Sequence, residues 1–232
     1  MGEPIWLKEV KCPACDMVFK TPRVKPSALI VKSSDPDFHK VYEDIFPLFY
    51  AVTVCPDCNY GARNDDFDVK TLEYHPEVLK LSAAIKSSKK NISFKQTKEL
   101  DAETAIKKHL LTITFAKHYK PEDPLTIAGL FMHIAWIYRD SGEKEKDKEY
   151  LKSALEYYIK TYEKGAHIPE KIGVPGIMYL AGELNRMLGN HTEAVQWFSR
   201  VVKNPQISNF PNIENMARDA WEKITEEKKK KE

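Results

Sequence analysis

The chain carries four cysteines in two matched pairs, Cys12-Pro13-Ala14-Cys15 and Cys55-Pro56-Asp57-Cys58, with 39 residues between the pairs. Zinc takes four thiolates converging tetrahedrally at about 2.3 Å, and two Cys-x-x-Cys knuckles supply them. Each knuckle turns tightly, so that backbone N–H groups can point at the sulfurs. The residues that follow, Asp16 and Asn59, are types that accept left-handed backbone geometry. Met17 and Tyr60 come next and are placed to shield a metal. Cys12, Cys15, Cys55 and Cys58 are therefore expected to hold one structural Zn2+. Iron is the rival, since Cys-Pro-x-Cys knuckles also build rubredoxin-type centres, and a labile thiol pair ranks below both. Disulfides are disfavoured because no secretory signal is visible. A thioredoxin-type redox motif needs one pair beside a βαβ pattern, which is not found. Four thiolates leave no open position for water, so hydrolysis at the metal is not expected.

The elements that must hold these knuckles belong to a region with its own grammar. Residues 1–70 contain all four cysteines and seven of the fourteen prolines, with 9 basic against 11 acidic side chains. Residues 17–20 and 48–54 read as short strands, each abutting a cysteine pair. The stretch 20–40, with Pro22, Pro26 and Pro36, reads as an irregular connection. Near residue 75 the pattern turns helical. The expected domains are a four-cysteine zinc module over 1–74 and a helical repeat domain over 75–232. The period predicts about seven helices, over 76–87, 101–118, 124–141, 146–164, 175–188, 192–203 and 212–227. Asp101 is the expected N-cap of the second. The third, with Leu125, Ile127, Leu130, Phe131, Ile134, Trp136, Ile137 and Tyr138, is apolar nearly all round and should be buried on most sides.

A chain of 232 residues with 42% hydrophobic side chains can build a sizeable core. Its 36 basic and 34 acidic residues exclude a highly cationic nucleic-acid coat protein and an acidic tail. The longest mostly apolar stretch, 45–54, contains Pro47 and falls far short of the ~20 residues a bilayer span needs. Residues 1–10 offer no apolar signal run, and Trp6 stands where myristoylation wants Ser or Thr. A cytoplasmic protein without a membrane partner is expected. The basic run over 228–231 reads as a solvated helix end.

Two stretches look like degenerate tetratricopeptide helix pairs: Phe131 to Tyr138 with Gly142, Ala154 and Tyr158, and Met178, Ala181, Gly182, Gly189, Ala194, Phe198 and Val201, closing at Pro205. Small Ala181, Gly182 and Ala194 fall where two helices must approach closely. Stacked pairs present a concave face lined by their first helices. Met132, Trp136 and Arg139 share one stripe, and Tyr179, Glu183 and Arg186 share the equivalent one. These six are the candidate peptide-binding residues, with core packing the competing role for Met132 and Trp136. Paired arginines on a groove suit a peptide carboxylate.

Residues 80–120 hold ten Lys against Glu99, Asp101 and Glu103, a charge pattern that suits RNA or DNA. The segment lacks Arg and has only Phe94, Phe115 and Tyr119 as aromatics, so nucleic acid ranks behind a protein partner. Nucleophile elbows, phosphate loops and zincin helices are not found, and the seven histidines are scattered. His109 and His118, nine residues apart, fall on roughly opposite faces of one helix. No enzyme activity is expected.

The run Asp37-Phe38, then Phe46-Pro47-Leu48-Phe49-Tyr50, then Val54 through the second knuckle to Tyr60, and Asp66-Phe67 resembles the bacterial family called domain of unknown function 2225. The first knuckle and the repeat-like tail fit as well. Asn59, where the family usually has Gly, and Gly61, where it usually has Ala, depart from the pattern without touching the metal ligands. The resemblance implies a bacterial protein with a four-cysteine zinc module ahead of helical repeats, and no established activity.

The expected fold is mainly α: a small N-terminal zinc-ribbon-like α+β module followed by a tetratricopeptide-like α-helical superhelix. The expected function is a non-enzymatic, zinc-stabilised adaptor that binds a protein or peptide. Its alternatives are a nucleic-acid-associated protein using the lysine-rich segment and a rubredoxin-like iron electron carrier. Exposed repeats could also stack against a second copy as a homo-oligomer.

Overall fold

In a computed structural model of the chain, residues 3–67, 76–88, 94, 97–118 and 122–229 are described. The expected junction at 74/75, much of the lysine-rich stretch, Tyr119 and the end of the basic run lie outside the described residues.

The N-terminal region is built from short antiparallel ribbons. Strand β1 (Ile5–Lys11) pairs with β2 (Val18–Val24), Lys11 opposite Val18 and Ile5 opposite Val24. Strand β3 (Val31–Ser34) pairs with β4 (Lys40–Tyr42), and β5 (Val52–Val54) pairs with β6 (Gly61–Arg63). The stretch 20–40 is therefore more ordered than its prolines suggest. Pro22 sits inside β2, which a two-stranded ribbon tolerates because each strand has a free edge where no N–H is needed. The expected strand over 48–54 splits in two. Pro47 starts a 3₁₀ turn, Pro47–Tyr50, and only Val52–Val54 is extended, as suits a proline whose fixed φ favours a first helical turn.

Seven α-helices follow among the described residues: α1 (Pro76–Ser87), α2 (Ala102–Ala116), α3 (Pro124–Asp140), α4 (Lys144–Glu163), α5 (Gly173–Met187), α6 (His191–Val202) and α7 (Pro211–Lys229). All seven lie within about two residues of the bounds set by periodicity, as is usual where helix ends fray. Asp101 caps α2, its Oδ1 accepting from the Thr104 N–H at 2.7 Å. Gly142 and Gly189, with φ of 78° and 84°, follow α3 and α5, where a left-handed residue closes the last turn. Helix α3 is buried on most sides, as its all-round apolar pattern predicts: Ile127, Ala128, Leu130, Met132, Ile134, Ala135 and Ile137 are all interior. The fold is thus mainly α with a small N-terminal β-containing module.

The chain divides into two compact units. The first comprises Met1–Ser33, Lys40–Asp123 and Trp136–Lys144; the second comprises Ser34–His39, Pro124–Ala135 and Glu145–Glu232. The first has its own core, formed by Val10, Phe19, Tyr60, Phe67, Val78 and Phe115 around the cysteines.

In the second unit, α5 and α6 form an antiparallel hairpin whose approach is set by small residues. A Cβ at Gly182 would lie 2.6 Å from the Phe198 ring, and Ala181 and Ala194 are buried beside it. Gly182→Val is expected to cost about 3 kcal/mol in thermal or denaturant unfolding, because overpacking a closed contact displaces a whole ring. Phe198→Leu in the same chain should recover part of that loss. A Gly182→Val chain as stable as the parent would show that the helices have room to part. The Ser34–His39 segment also belongs to this unit. The Tyr179 hydroxyl donates to the Pro36 carbonyl at 3.0 Å, and the Phe38 ring, on a backbone with φ of 70°, lies 5.5 Å from the Tyr179 ring. Asp37 and His39 are buried there.

Candidate metal centre

Both knuckles are the turns of antiparallel ribbons, and both are closed by the same bonds. The Cys12 N–H donates to the Met17 carbonyl at 2.8 Å and the Asp16 N–H to the Cys12 carbonyl at 2.9 Å. In the second knuckle, the Cys55 N–H donates to Tyr60 at 2.8 Å and the Asn59 N–H to Cys55 at 3.0 Å. Asp16 and Asn59 take φ of 62° and 58°, the left-handed geometry expected of them. The sulfurs are solvated by backbone at equivalent offsets. The N–H groups of Ala14, Met17, Asp57 and Tyr60 face Cys12, Cys15, Cys55 and Cys58, each two residues on. Such bonds favour charged sulfur over thiol.

The two ribbons bring the four sulfurs together. All four Sγ atoms lie within 4.8 Å of one another, with Cys12 to Cys58 at 3.7 Å and Cys15 to Cys55 at 3.6 Å. Four sulfurs at about 2.3 Å from a central ion stand roughly 3.8 Å apart, so these separations fit a tetrahedral metal and far exceed a disulfide's ~2.05 Å. Cys12, Cys55 and Cys58 are buried, and Cys15 is partly exposed. The donor set fits a metal ion, and the chemistry it would supply is cross-linking of the two ribbons.

Taken alone, the four thiols share protons. Hydrogen bonding to the Cys55 and Cys58 sulfurs, then burial, pushes Cys12 up. Burial first pushes Cys15 up to about 12. Cys55 is pulled down by the Cys12 thiol and pushed further up by Cys58 and burial. Cys58, accepting from Cys12 and Cys55, is held far below the usual thiol range. One thiolate among thiols becomes four thiolates only when a cation joins them, so metal uptake releases protons and weakens in acid.

The surroundings are apolar with two polar contacts. Tyr60 and Phe67 have ring centroids 5.3 Å apart, Tyr60 and Phe115 5.4 Å, and Phe19 and Phe67 5.9 Å. Helix α1 adds Val78, Leu79, Leu81 and Ile85 to this core, and its Ser82 hydroxyl donates to the Cys58 carbonyl oxygen at 3.5 Å. Lys86 Nζ pairs with Asp57 Oδ2 at 2.5 Å and also feels the Cys15 and Cys58 sulfurs. Ser82, Lys86 and Phe115 were not identified from sequence as neighbours of the cysteines, and Phe67 entered only through the family resemblance. The α1 residues repeat at helical spacing, the one local signal that an apolar stripe faces something. Phe115, counted above as an aromatic of a nucleic-acid footprint, is a fully buried wall of the cysteine core.

Several lysines of that footprint are engaged. Lys80, Lys86, Lys98 and Lys107 pair with Glu77, Asp57, Glu3 and Glu103, and Lys108 is buried. His109 is fully buried within α2, whereas His118 lies past the helix, beyond its C-cap Lys117, and is exposed. Burial pulls His109 down to about 4, and its Nδ1 lies 2.8 Å from the Ala105 carbonyl oxygen, so a neutral ring donates there. A folded pKa below the unfolded ~6.5 means that the unfolded chain binds more protons between those values. Stability is then lost as pH falls from 6.5 through 4, by roughly 3 kcal/mol. His109→Gln should lack that acid limb when its unfolding free energy is subtracted from the parent's; parallel curves would show that His109 is charged in the fold.

Of the six candidate groove residues, Met132, Tyr179 and Glu183 are buried. Glu183 accepts two bonds from Arg186, at 2.6 and 2.9 Å. Trp136, Arg139 and Arg186 are partly exposed. The helical spacing places each set on one stripe, but the surface is left to these last three.

Two cysteine knuckles on paired ribbons, closed over one sulfur cluster and walled by helices, define a module whose four cysteines are arranged to hold a metal ion. A family model described as "Uncharacterized protein conserved in bacteria (DUF2225)" matches residues 5–224. The chain belongs to that family. No curated protein and no solved structure matches it in the same comparisons. Among the family-like residues, Tyr50 and Phe67 are buried and Phe38 packs on Tyr179. No helix among the described residues is long and apolar enough to cross a membrane.

Proposed function

We propose that this protein is a non-enzymatic adaptor: a zinc ion held by Cys12, Cys15, Cys55 and Cys58 stabilises the N-terminal unit, and the tetratricopeptide-like helices bind a protein or peptide in the cytoplasm. The observation that carries the reading is the closed sulfur cluster. Four thiolates fill a tetrahedral ion, and three of the four cysteines are buried, which suits a metal that supports a fold rather than one that meets a substrate. Binding then falls to the helical unit, where the tight α5–α6 hairpin supports the repeat-like reading.

Metal identity is tested on protein expressed with iron and zinc both supplied. Colourless protein with one zinc per chain supports the reading; red protein with iron replaces it with an electron carrier. The adaptor role is tested by tagged recovery from source-cell lysate with and without nuclease. One protein retained in both conditions supports an adaptor, and loss of everything on nuclease treatment shifts the reading to nucleic acid.

A further inference from the structure

The helical unit carries an open surface groove of about 660 Å3 that none of the six groove candidates lines. Its size falls within the usual range of ligand sites. Tyr162 of α4, Met178 of α5, Val195 of α6 and Trp221 of α7 supply an apolar floor and walls, and Arg200 of α6 and its C-cap residue Lys203 add two cations. No carboxylate lines the groove among the described residues.

Arg200 differs from two other arginines of the unit, which are held by carboxylates. Arg186 is held by Glu183 and Arg218 by Glu214, whereas Arg200 and Lys203 make no ion pair among the described residues. Three residues apart at the end of a helix, they are neighbours on one face. The Arg200 guanidinium lies over the Trp197 ring, 4.5 Å from its centroid. That stacking orients the group while its N–H edge stays available to an acceptor. The Tyr162 ring in turn meets Trp197 edge-on at 5.3 Å, so the arginine rests on a packed aromatic pair.

Apolar walls beside two unpaired, partly preorganised cations complement one kind of occupant. We infer that this groove docks an acidic peptide: an aliphatic or aromatic side chain enters between Tyr162, Met178 and Trp221, and a neighbouring Asp or Glu carboxylate pairs with Arg200 and Lys203. The inference rests on reading the helical unit as a peptide binder, and it moves the contact from the first-helix stripe to the α6 face.

The test uses the full metal-loaded chain and fluorescein-labelled decapeptides read by anisotropy. One series carries a central Leu or Phe flanked by Glu, a second the same anchor flanked by Lys, and a third Glu with no anchor. Binding of the first series alone is expected. Arg200→Glu with Lys203→Glu should weaken it at least about tenfold, the effect of losing one charged hydrogen bond, with Lys203→Glu alone as the milder control. Trp221→Ala should weaken it about tenfold through the lost apolar contact. Glu-flanked peptides that bind the charge-reversed chain equally well would overturn the site and leave the peptide-adaptor reading standing. Equal binding of the anchorless series would overturn the role of the apolar walls. No binding in any series overturns the inference. A cellular partner still recovered on the charge-reversed chain keeps the adaptor, whereas the absence of any partner on either chain removes both. A concentration-dependent dimer abolished by the charge reversal would assign the groove to a second copy and overturn the peptide.

Discussion

Cys55→Ser is expected to lower the metal content from one ion per chain to near zero and to loosen the first unit, while α5 to α7 keep most of their circular dichroism. Cys55 is fully buried within the core that also contains Val10, Phe19, Tyr60, Phe67 and Phe115. Its loss leaves three sulfurs and an open face, and it places a hydroxyl among apolar rings. In small zinc modules the binding free energy, about 10–16 kcal/mol, is folding free energy, so losing even part of it exceeds the effect of ordinary core substitutions. The cost should concentrate in β1, β2, β5, β6 and the helices packed on them, because the second unit contains no cysteine. Metal analysis, with hydrogen exchange resolved by segment, measures both effects. Stoichiometric metal and unchanged exchange in the variant would refute the structural role of the site.

The second large effect has the opposite sign. Lys108→Met is expected to stabilise the protein by roughly 3 kcal/mol at neutral pH. Lys108 is only 6% exposed and lines a small enclosed cavity with Thr21, Pro22, Val54, Leu100 and Thr104. It makes no ion pair among the described residues. Burial, and secondarily the charge of Arg23, pulls its pKa from 10.5 down to about 8. The folded chain therefore holds fewer protons than the unfolded chain between pH 8 and 10.5. The cost of the buried cation is complete below pH 8 and is relieved as pH rises towards 10.5. Subtracting parent from variant unfolding free energies across pH 6–11 isolates this group from the cysteines, which are common to both chains. The gain should be full at pH 7 and fade by pH 10.5. A destabilised variant, or a difference flat across that range, would show that the amine has a partner or stays neutral.

These two sites differ in how far sequence reasoning reached them. The knuckles were legible because everything that shapes each of them is local: within 12–17 and within 55–60, two ligands, a left-handed residue (Asp16 or Asn59) and the side chain after it fall inside six residues. The helices were legible because a 3.6-residue period survives in α1 to α7. Strand β1 was not: its exposure alternates poorly, with Trp6 and Leu7 both partly exposed, because a two-stranded ribbon buries neither face fully. Strands β3 and β4 were obscured by Pro26 and Pro36, which lie outside them, in the preceding 3₁₀ turn and in the connection between the strands. Lys108 was hidden in a charge count that treats every lysine as solvated, although burial depends on what packs against α2. Periodicity put Met132, Tyr179 and Glu183 on one stripe each, but the direction a stripe faces is tertiary information. The residues around the metal site, Ser82, Lys86 and Phe115, come from helices distant in sequence, and the helical spacing of α1 says only that an apolar stripe faces something, not that it faces the cysteines.

The closed, all-sulfur character of the metal site is the claim on which the adaptor reading depends. X-ray absorption at the metal edge of the purified, unaltered chain tests it most directly. The geometry predicts four sulfur scatterers at about 2.3 Å and no nitrogen or oxygen shell. A centre with three sulfurs and a light-atom ligand would contradict it, because an open position would turn a structural site into a reactive one.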